Sequence, residues 1–455
     1  MASARYNVLQ HRVWRWHFFA GLMVIPFAII LAFTGSIYLF KAQYHAAVDK
    51  HVAANATADT GPVLPADELV DAAMSAHEGA QFKKITLPMQ ANDRTLEVEL
   101  VANDTPRTLW IDIHSADILH DVATSDRLMG FVQRIHGTLL NGDIGSYIVE
   151  LMACWMIILI VTGTYLWWPR DKAWWRVFLP SFGDKGPKRG LWRNLHGMTG
   201  AWIGVVVLCL LISGLPWTQV WGDGFSRAQK LFGLTSPGQE WFVTLQSEKP
   251  KTIKEDGLNL WTTGEGTEGV VTLESEKPST GLQPITLQDV VDKVVPQKLH
   301  PPIEIQPPRG DNGVWTVRSM VQNRPLRETV HYDKWSGNEI MRITFSDYNP
   351  MVKAASYGIA FHEGALFGPV NQGVGVLAAI GVVFLSVSGA ILWWKRRPSG
   401  AMGVPPIPAD KRVKFGVVLL VIILGVFLPL SGLSLVAFLI LDFLWGKVTR
   451  RARST

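Results

Sequence analysis

The 455-residue sequence holds two cysteines, Cys154 and Cys209, both inside apolar runs. That excludes a disulfide framework, and with no Cys-x-x-Cys-His motif any haem must be held without covalent attachment. Charge is also scarce: 18% of residues are Asp, Glu, Lys or Arg, against 48% hydrophobic. This balance excludes a disordered chain and differs from that of an ordinary soluble enzyme. The formal net charge of +5 does not form a nucleic-acid-binding face. Its basic residues gather in short blocks beside apolar runs, the pattern of membrane topology, so no nucleic-acid partner is expected.

Long apolar stretches are abundant. One runs from Trp16 to about Phe40, and others cover 146–168, 197–219 and 373–394, each about the 20 residues that a hydrocarbon core of about 30 Å requires. The first follows Arg5, Arg12 and Arg15 but exceeds the roughly 7 to 15 apolar residues of a cleaved signal, so it reads as a retained anchor. Phe415 to Trp445 is long for one span, and Pro429, Ser431 and Gly432 punctuate its middle. Two short helices are expected there, with one tilted, Pro-kinked helix as the alternative.

Basic residues crowd the loop with Arg170, Lys172, Arg176, Lys185, Lys188, Arg189 and Arg193, then the loop with Lys395, Arg396, Arg397, Lys411, Arg412 and Lys414. The positive-inside rule puts both loops in the cytoplasm, together with the N-terminus and the tail carrying Lys447 and Arg450, which requires an even number of spans. The expected fold is a polytopic α-helical inner-membrane protein of about six transmembrane helices. These comprise a duplicated two-helix unit and a C-terminal hairpin, accompanied by two periplasmic α+β domains. Along the chain this gives a first span (1–40), a periplasmic domain (41–130), an edge helix with the second span (131–168), a basic loop (169–195) and a third span (196–219). A second periplasmic domain (220–350), an edge helix with the fourth span (351–394), a basic loop (395–414), the hairpin (415–446) and a cytoplasmic tail (447–455) follow.

Internal repetition exposes the chemistry. His17 precedes Gly21 by four residues and Gly35 by eighteen, and His196 precedes Gly200 and Gly214 by the same intervals. His136 lies 27 residues before Gly163 and 31 before Trp167, while His362 stands at the same distances from Gly389 and Trp393. Thr162-Gly163-Thr164-Tyr165-Leu166-Trp167-Trp168 also matches Ser388-Gly389-Ala390-Ile391-Leu392-Trp393-Trp394. With the N-terminus inside, His17 and His196 share the cytoplasmic edge, and His136 and His362 the periplasmic edge. Two imidazoles at one depth supply the axial positions of a haem iron, so two bis-histidine b haems are expected, one near each face. Zinc or copper fits less well, because no carboxylate or thiol cluster completes either pair.

Other features stay open. Gly21, Gly200, Gly163 and Gly389 would admit either a flat macrocycle or a neighbouring helix. The two Trp-Trp pairs read as an interfacial belt or as haem-lining residues. Glu150, inside the second span, suits proton delivery or a salt bridge. Glu363 reads as a partner of His362 or as a hydrated surface acid. His11, His45, His51, His114 and His300 lack the repeat spacing and are expected at the surface.

The order of elements, the Trp-Trp-Pro-Arg of Trp167 to Arg170 and the Arg-Asn-Leu-His-Gly of Arg193 to Gly197 resemble the PepSY-associated transmembrane family of iron-regulated bacterial proteins. The stretch from Tyr332-Asp333 to Ser336-Gly337 resembles a PepSY domain, and Asp112 to Ala116 matches it more loosely. Family members include ferric-siderophore reductases carrying two haems. The resemblance therefore implies His17, His196, His136 and His362 as ligands, a ferric siderophore as substrate, the bilayer as surroundings and an electron donor of unspecified kind. A haem-free PepSY regulatory or binding protein, and an electron conduit to another periplasmic acceptor, are the alternatives.

Overall fold

The computed structural model describes residues 2–56, 61–88, 93–169, 173–179, 188–234, 283–310, 312–397, 415–437 and 440. Helices α1 (Ala2–Tyr38), α2 (Lys41–Ala53) and α3 (Ala66–Ser75) precede strands β1 (Gln81–Leu87), β2 (Thr95–Ala102), β3 (Thr105–Asp112) and β4 (Ile118–Ala123). Next come α4 (Leu128–Thr138), α5 (Gly142–Trp167), α6 (Lys188–Gly214), α7 (Gln219–Leu231) and α8 (Leu287–Val294). Strands β5 (Ile303–Gln306), β6 (Trp315–Ser319), β7 (Thr329–Tyr332) and β8 (Glu339–Ile343) lead to α9 (Pro350–His362), α10 (Pro369–Arg396) and α11 (Phe415–Phe427). The chain divides into two compact units: a helix unit of 1–37, 133–225 and 369–455, and a sheet unit of 38–132 and 226–368.

In the helix unit four segments are long and apolar enough to cross a membrane: Leu9–Tyr38, Gly142–Trp167, Gly190–Trp217 and Pro369–Arg396. The protein is therefore a polytopic membrane protein with an antiparallel β region. Its packing uses small residues where helices meet, since lipid-facing surfaces gain nothing from burying apolar area against one another. Gly381 abuts Ile203, whose Cδ1 lies 2.5 Å from where a Cβ would stand. Gly197 lies flat against the Trp167 ring. After α11 the helix breaks at Leu428, just before Pro429. A Cβ on Gly432 would lie 3.0 Å from the Gly425 Cα, although residues seven apart in a continuous helix are about 10.5 Å apart along the axis. The chain thus folds back at Pro429.

The sheet unit corrects the expectation of two separate domains. Both polar segments contribute to one eight-stranded antiparallel sheet of order β4-β3-β2-β1-β5-β6-β7-β8. The halves join through the β1–β5 pairing, where Ile85 faces Ile305. On one face α3 and α8 bury Leu69, Val70, Ala73, Leu287, Val290 and Val294 against Val98, Leu109, Ile305 and Val330. The alternation of buried and partly exposed residues along β2 is the period-two pattern of a sheet whose two faces differ.

The helices of the two halves cap each other. Leu287 and Gln288 donate their backbone N–H groups to the Asp67 carboxylate at 3.0 and 2.9 Å, and Ala66 donates its N–H to Gln288 Oε1 at 2.7 Å. Each helix thereby satisfies part of the other's unpaired first turn.

The opposite face is polar. Trp110 Nε1 donates to Asp49 at 2.9 Å, Arg127 pairs with Glu97 at 2.6 Å, and Lys84 pairs with Glu304 at 2.7 Å. His45, expected at the surface, is partly buried here and accepts a hydrogen bond from Arg127 at 3.0 Å. Burial, helped by Arg127 and Lys41, pulls its pKa down to about 4. His331 is likewise held at about 4 by burial and the Arg318 guanidinium.

Candidate functional site

Helix α1 carries His17 toward α6 and α5. The His17 and His196 ring centres are 6.5 Å apart with their planes at 88°. His17 Nδ1 lies 2.9 Å from Thr162 Oγ1 of α5, and His196 Nδ1 lies 2.8 Å from Ser388 Oγ of α10. The glycine following each hydroxyl faces the same ring: a Cβ on Gly163 would lie 3.1 Å from His17 Cε1, and one on Gly389 would lie 3.6 Å from His196 Cε1. The sequence repeat is thus also a spatial repeat. Gly163 makes room for an imidazole, Gly389 would take a Cβ in ordinary contact with its ring, and Gly21 and Gly200 face Leu159 and Leu385, which lie 3.8 and 3.9 Å from where a Cβ would stand, as helix packing needs.

His136, near the end of α4, makes a third version of the arrangement. Its Nδ1 lies 3.0 Å from Thr34 Oγ1, and a Cβ on Gly35 would stand 3.1 Å from its Cε1. Thr34 is seventeen residues beyond His17 on the same helix, about 25 Å at a rise of 1.5 Å per residue. Along α1 the His17 and His136 sites therefore stand about 25 Å apart, the first near the middle of the helix and the second near its C-terminal end.

His362 is the last residue of α9, and Glu363 follows as its C-cap. It belongs to the sheet unit and His136 to the helix unit. Glu363 is 9% exposed, unlike a hydrated surface acid. Burial lowers the pKa of Lys41, against the opposing pull of the Glu363 carboxylate.

Glu150 is fully buried, and neither role expected for it is needed to explain that. Its two oxygens accept the backbone N–H groups of Val220 and Trp221 at 2.9 and 3.0 Å. It caps the first turn of α7, where a carboxylate also complements the helix dipole. Nothing in the sequence near Glu150 signals this, because its partners lie about seventy residues away.

The aromatic pairs divide in use. Trp167 packs on Gly197, next to His196, and donates its Nε1–H to the Val177 carbonyl at 3.0 Å, while Trp168 and Trp394 are half exposed. Arg396 stacks over Trp14 at 3.6 Å and Arg397 over Trp394 at 3.9 Å, as interfacial cation–π pairs do. Of the expected basic loops, Arg170, Lys172, Lys185, Lys411, Arg412 and Lys414 lie outside the described residues, as do Lys447 and Arg450 of the tail.

The model of the PepSY-associated TM region matches residues 14–396. The chain belongs to that family. No match to a curated protein was found. The match spans His17, His136, His196 and His362 together with all four long helices.

The donor set bears on what this member of the PepSY-associated TM family can hold. Among the described residues no three His, Cys, Asp or Glu side chains converge as metal ligands. A paired imidazole site suits an ion whose remaining positions come from a macrocycle, as in haem. Two imidazole–metal bonds of about 2.0–2.1 Å, with each nitrogen about 1.1 Å from its ring centre, would put the centres roughly 6.3 Å apart. The observed ring-centre separation of 6.5 Å is close to that length.

Proposed function

We propose that this protein is a di-haem ferric-siderophore reductase of a bacterial inner membrane. In this reading the chain has six spans, its last two formed by the fold-back at Pro429, with both termini cytoplasmic and the sheet unit periplasmic. His17 and His196 hold one b haem and His136 and His362 the other. The observation that carries the reading is the His17–His196 ring pair at 6.5 Å, set in duplicated hydroxyl–glycine cradles. For His362 the support is the sequence repeat with His136.

Bound haem supplies one-electron carriage across a potential range set by its ligands. The residues of the chain hold and orient those ligands. Placing two sites about 25 Å apart along α1 suits a protein that takes electrons at one face of a core about 30 Å thick and delivers them at the other. Reducing the Fe(III) of a periplasmic chelate by one electron weakens its hold on hard oxygen ligands and so releases the metal.

The test is to reduce the purified protein anaerobically and add ferric siderophores together with a ferrous trap. The expected result is reoxidation of the protein and one trapped Fe(II) per electron lost. A haem-replete protein that no ferric siderophore reoxidises would instead be a conduit to another acceptor. A protein that remains colourless when expressed with ample haem would support a haem-free binding role for the sheet unit.

A further inference from the structure

We propose that Thr162, Ser388 and Thr34 are positioning residues that lock His17, His196 and His136 in the tautomer with the proton on Nδ1, presenting Nε2 as the lone-pair nitrogen. The proposal rests on the haem reading for its consequence but not for its geometry. A hydroxyl has one proton to donate. Thr162 Oγ1 lies 2.7 Å from the Ile158 carbonyl of its own helix, and Thr34 Oγ1 lies 2.8 Å from the Ile30 carbonyl. A carbonyl has no proton, so oxygens this close require the hydroxyl proton to lie between them. Each hydroxyl can then only accept from its histidine, at 2.9 Å for His17 and 3.0 Å for His136. The donor must be Nδ1–H, and a neutral imidazole protonated at Nδ1 keeps its lone pair on Nε2.

Ser388 repeats the arrangement, with its hydroxyl 3.2 Å from the Leu385 carbonyl and 2.8 Å from His196 Nδ1. Gly163 and Gly35, where a Cβ would stand 3.1 Å from the ring, leave His17 and His136 the room to approach their hydroxyls. At Thr162-Gly163 and Thr34-Gly35 the two residues are therefore one device: the oxygen sets the tautomer and the missing Cβ seats the ring. Ser213-Gly214 stands at the corresponding place in the second copy, Gly214 lying eighteen residues after His196 as Gly35 does after His17.

An acceptor on Nδ1–H makes the imidazole a stronger electron donor through Nε2 and favours the ferric state. Thr162→Val removes the hydroxyl at nearly constant shape, and Thr162→Ser retains it. A redox titration of the α band, with low-spin EPR, is expected to show both haems in Thr162→Val with one of the two midpoint potentials raised and its g values changed. Thr162→Ser should restore the wild-type values. Loss of one haem in the Val variant but not in the Ser variant would also support the proposal. Unchanged potentials in Thr162→Val, or equal changes or losses in both variants, would overturn it. If the wild-type protein holds no haem, the functional reading fails separately. The tautomer is then read by 15N NMR of labelled histidine, where Nε2–H at His17 would overturn the proposal and Nδ1–H would support it.

Discussion

In the helix unit the second copy repeats the side chains that face the histidines, Ser388-Gly389 standing where the first copy has Thr162-Gly163. In the sheet unit the second half repeats strand order and reciprocal helix capping, and at the hairpin turn it keeps the carboxylate that accepts from the turn backbone, Asp333 standing where Asp112 does. Ala116 and Gly337 occupy matching hairpin turns, both at positive φ (61° and 66°), yet only one is glycine. Residue types therefore persist in the sheet unit where a side chain holds a turn and drift beside it. Around His17 and His196 the persistent hydroxyls bond an imidazole instead.

The contrast also concerns what each unit buries. The sheet unit encloses titratable groups, His331 foremost, and this should produce the largest effect. Unfolded histidine protonates near pH 6.5, whereas His331 in the fold protonates only near 4, so the unfolded state binds more protons between those values. Stability present above pH 6.5 should fall as pH drops toward 4, by up to about 3 kcal/mol from this residue. Chemical denaturation of the detergent-solubilised protein, followed by tryptophan fluorescence, should show the fall, and His331→Gln should reduce it to the part that His45 supplies.

In the helix unit the asymmetry between copies is sharpest at Glu150, whose counterpart in the second copy, thirteen residues before the glycine, is Val376. Glu150→Gln leaves one side-chain oxygen to serve two N–H groups and should destabilise by about 1–3 kcal/mol, measurable as a lower Tm.

The cradles differ by half an ångström. Gly163→Ala would press on His17 from 3.1 Å, whereas Gly389→Ala would make an ordinary 3.6 Å contact with His196. The first should cost about 1–2 kcal/mol and broaden the absorption of one haem. The second should leave the spectrum unchanged, and equal effects would mean that the copies are interchangeable.

The smallest effect belongs to the turn. Ala116→Gly should stabilise by about 1 kcal/mol, because alanine at positive φ is strained. A gain in the midpoint of chemical denaturation checks it.

The four long helices and the break at Pro429 were legible in the sequence, since length, hydropathy and a proline act locally. The repeat spacing of His17 and His196 was legible for the same reason. The join between β1 and β5 was not: Ile85 and Ile305 are 220 residues apart, and their alternation shows only that each is a strand residue. The hydroxyl partners escaped notice because Thr162 and Ser388 look like ordinary helix residues until the helix-to-helix register brings them to a ring. Glu150 could be read as unusual but not as a cap, because its partners are backbone groups without a sequence signature.

The most direct measurement of the central claim is the haem-to-protein ratio, with the low-spin spectrum, of the wild-type protein and of His196→Ala. Two haems per chain in the wild type, falling to one while a bis-histidine signal persists from the other, is the expected result. A wild type without haem, or a His196→Ala variant that retains both haems with unaltered spectra, would contradict it.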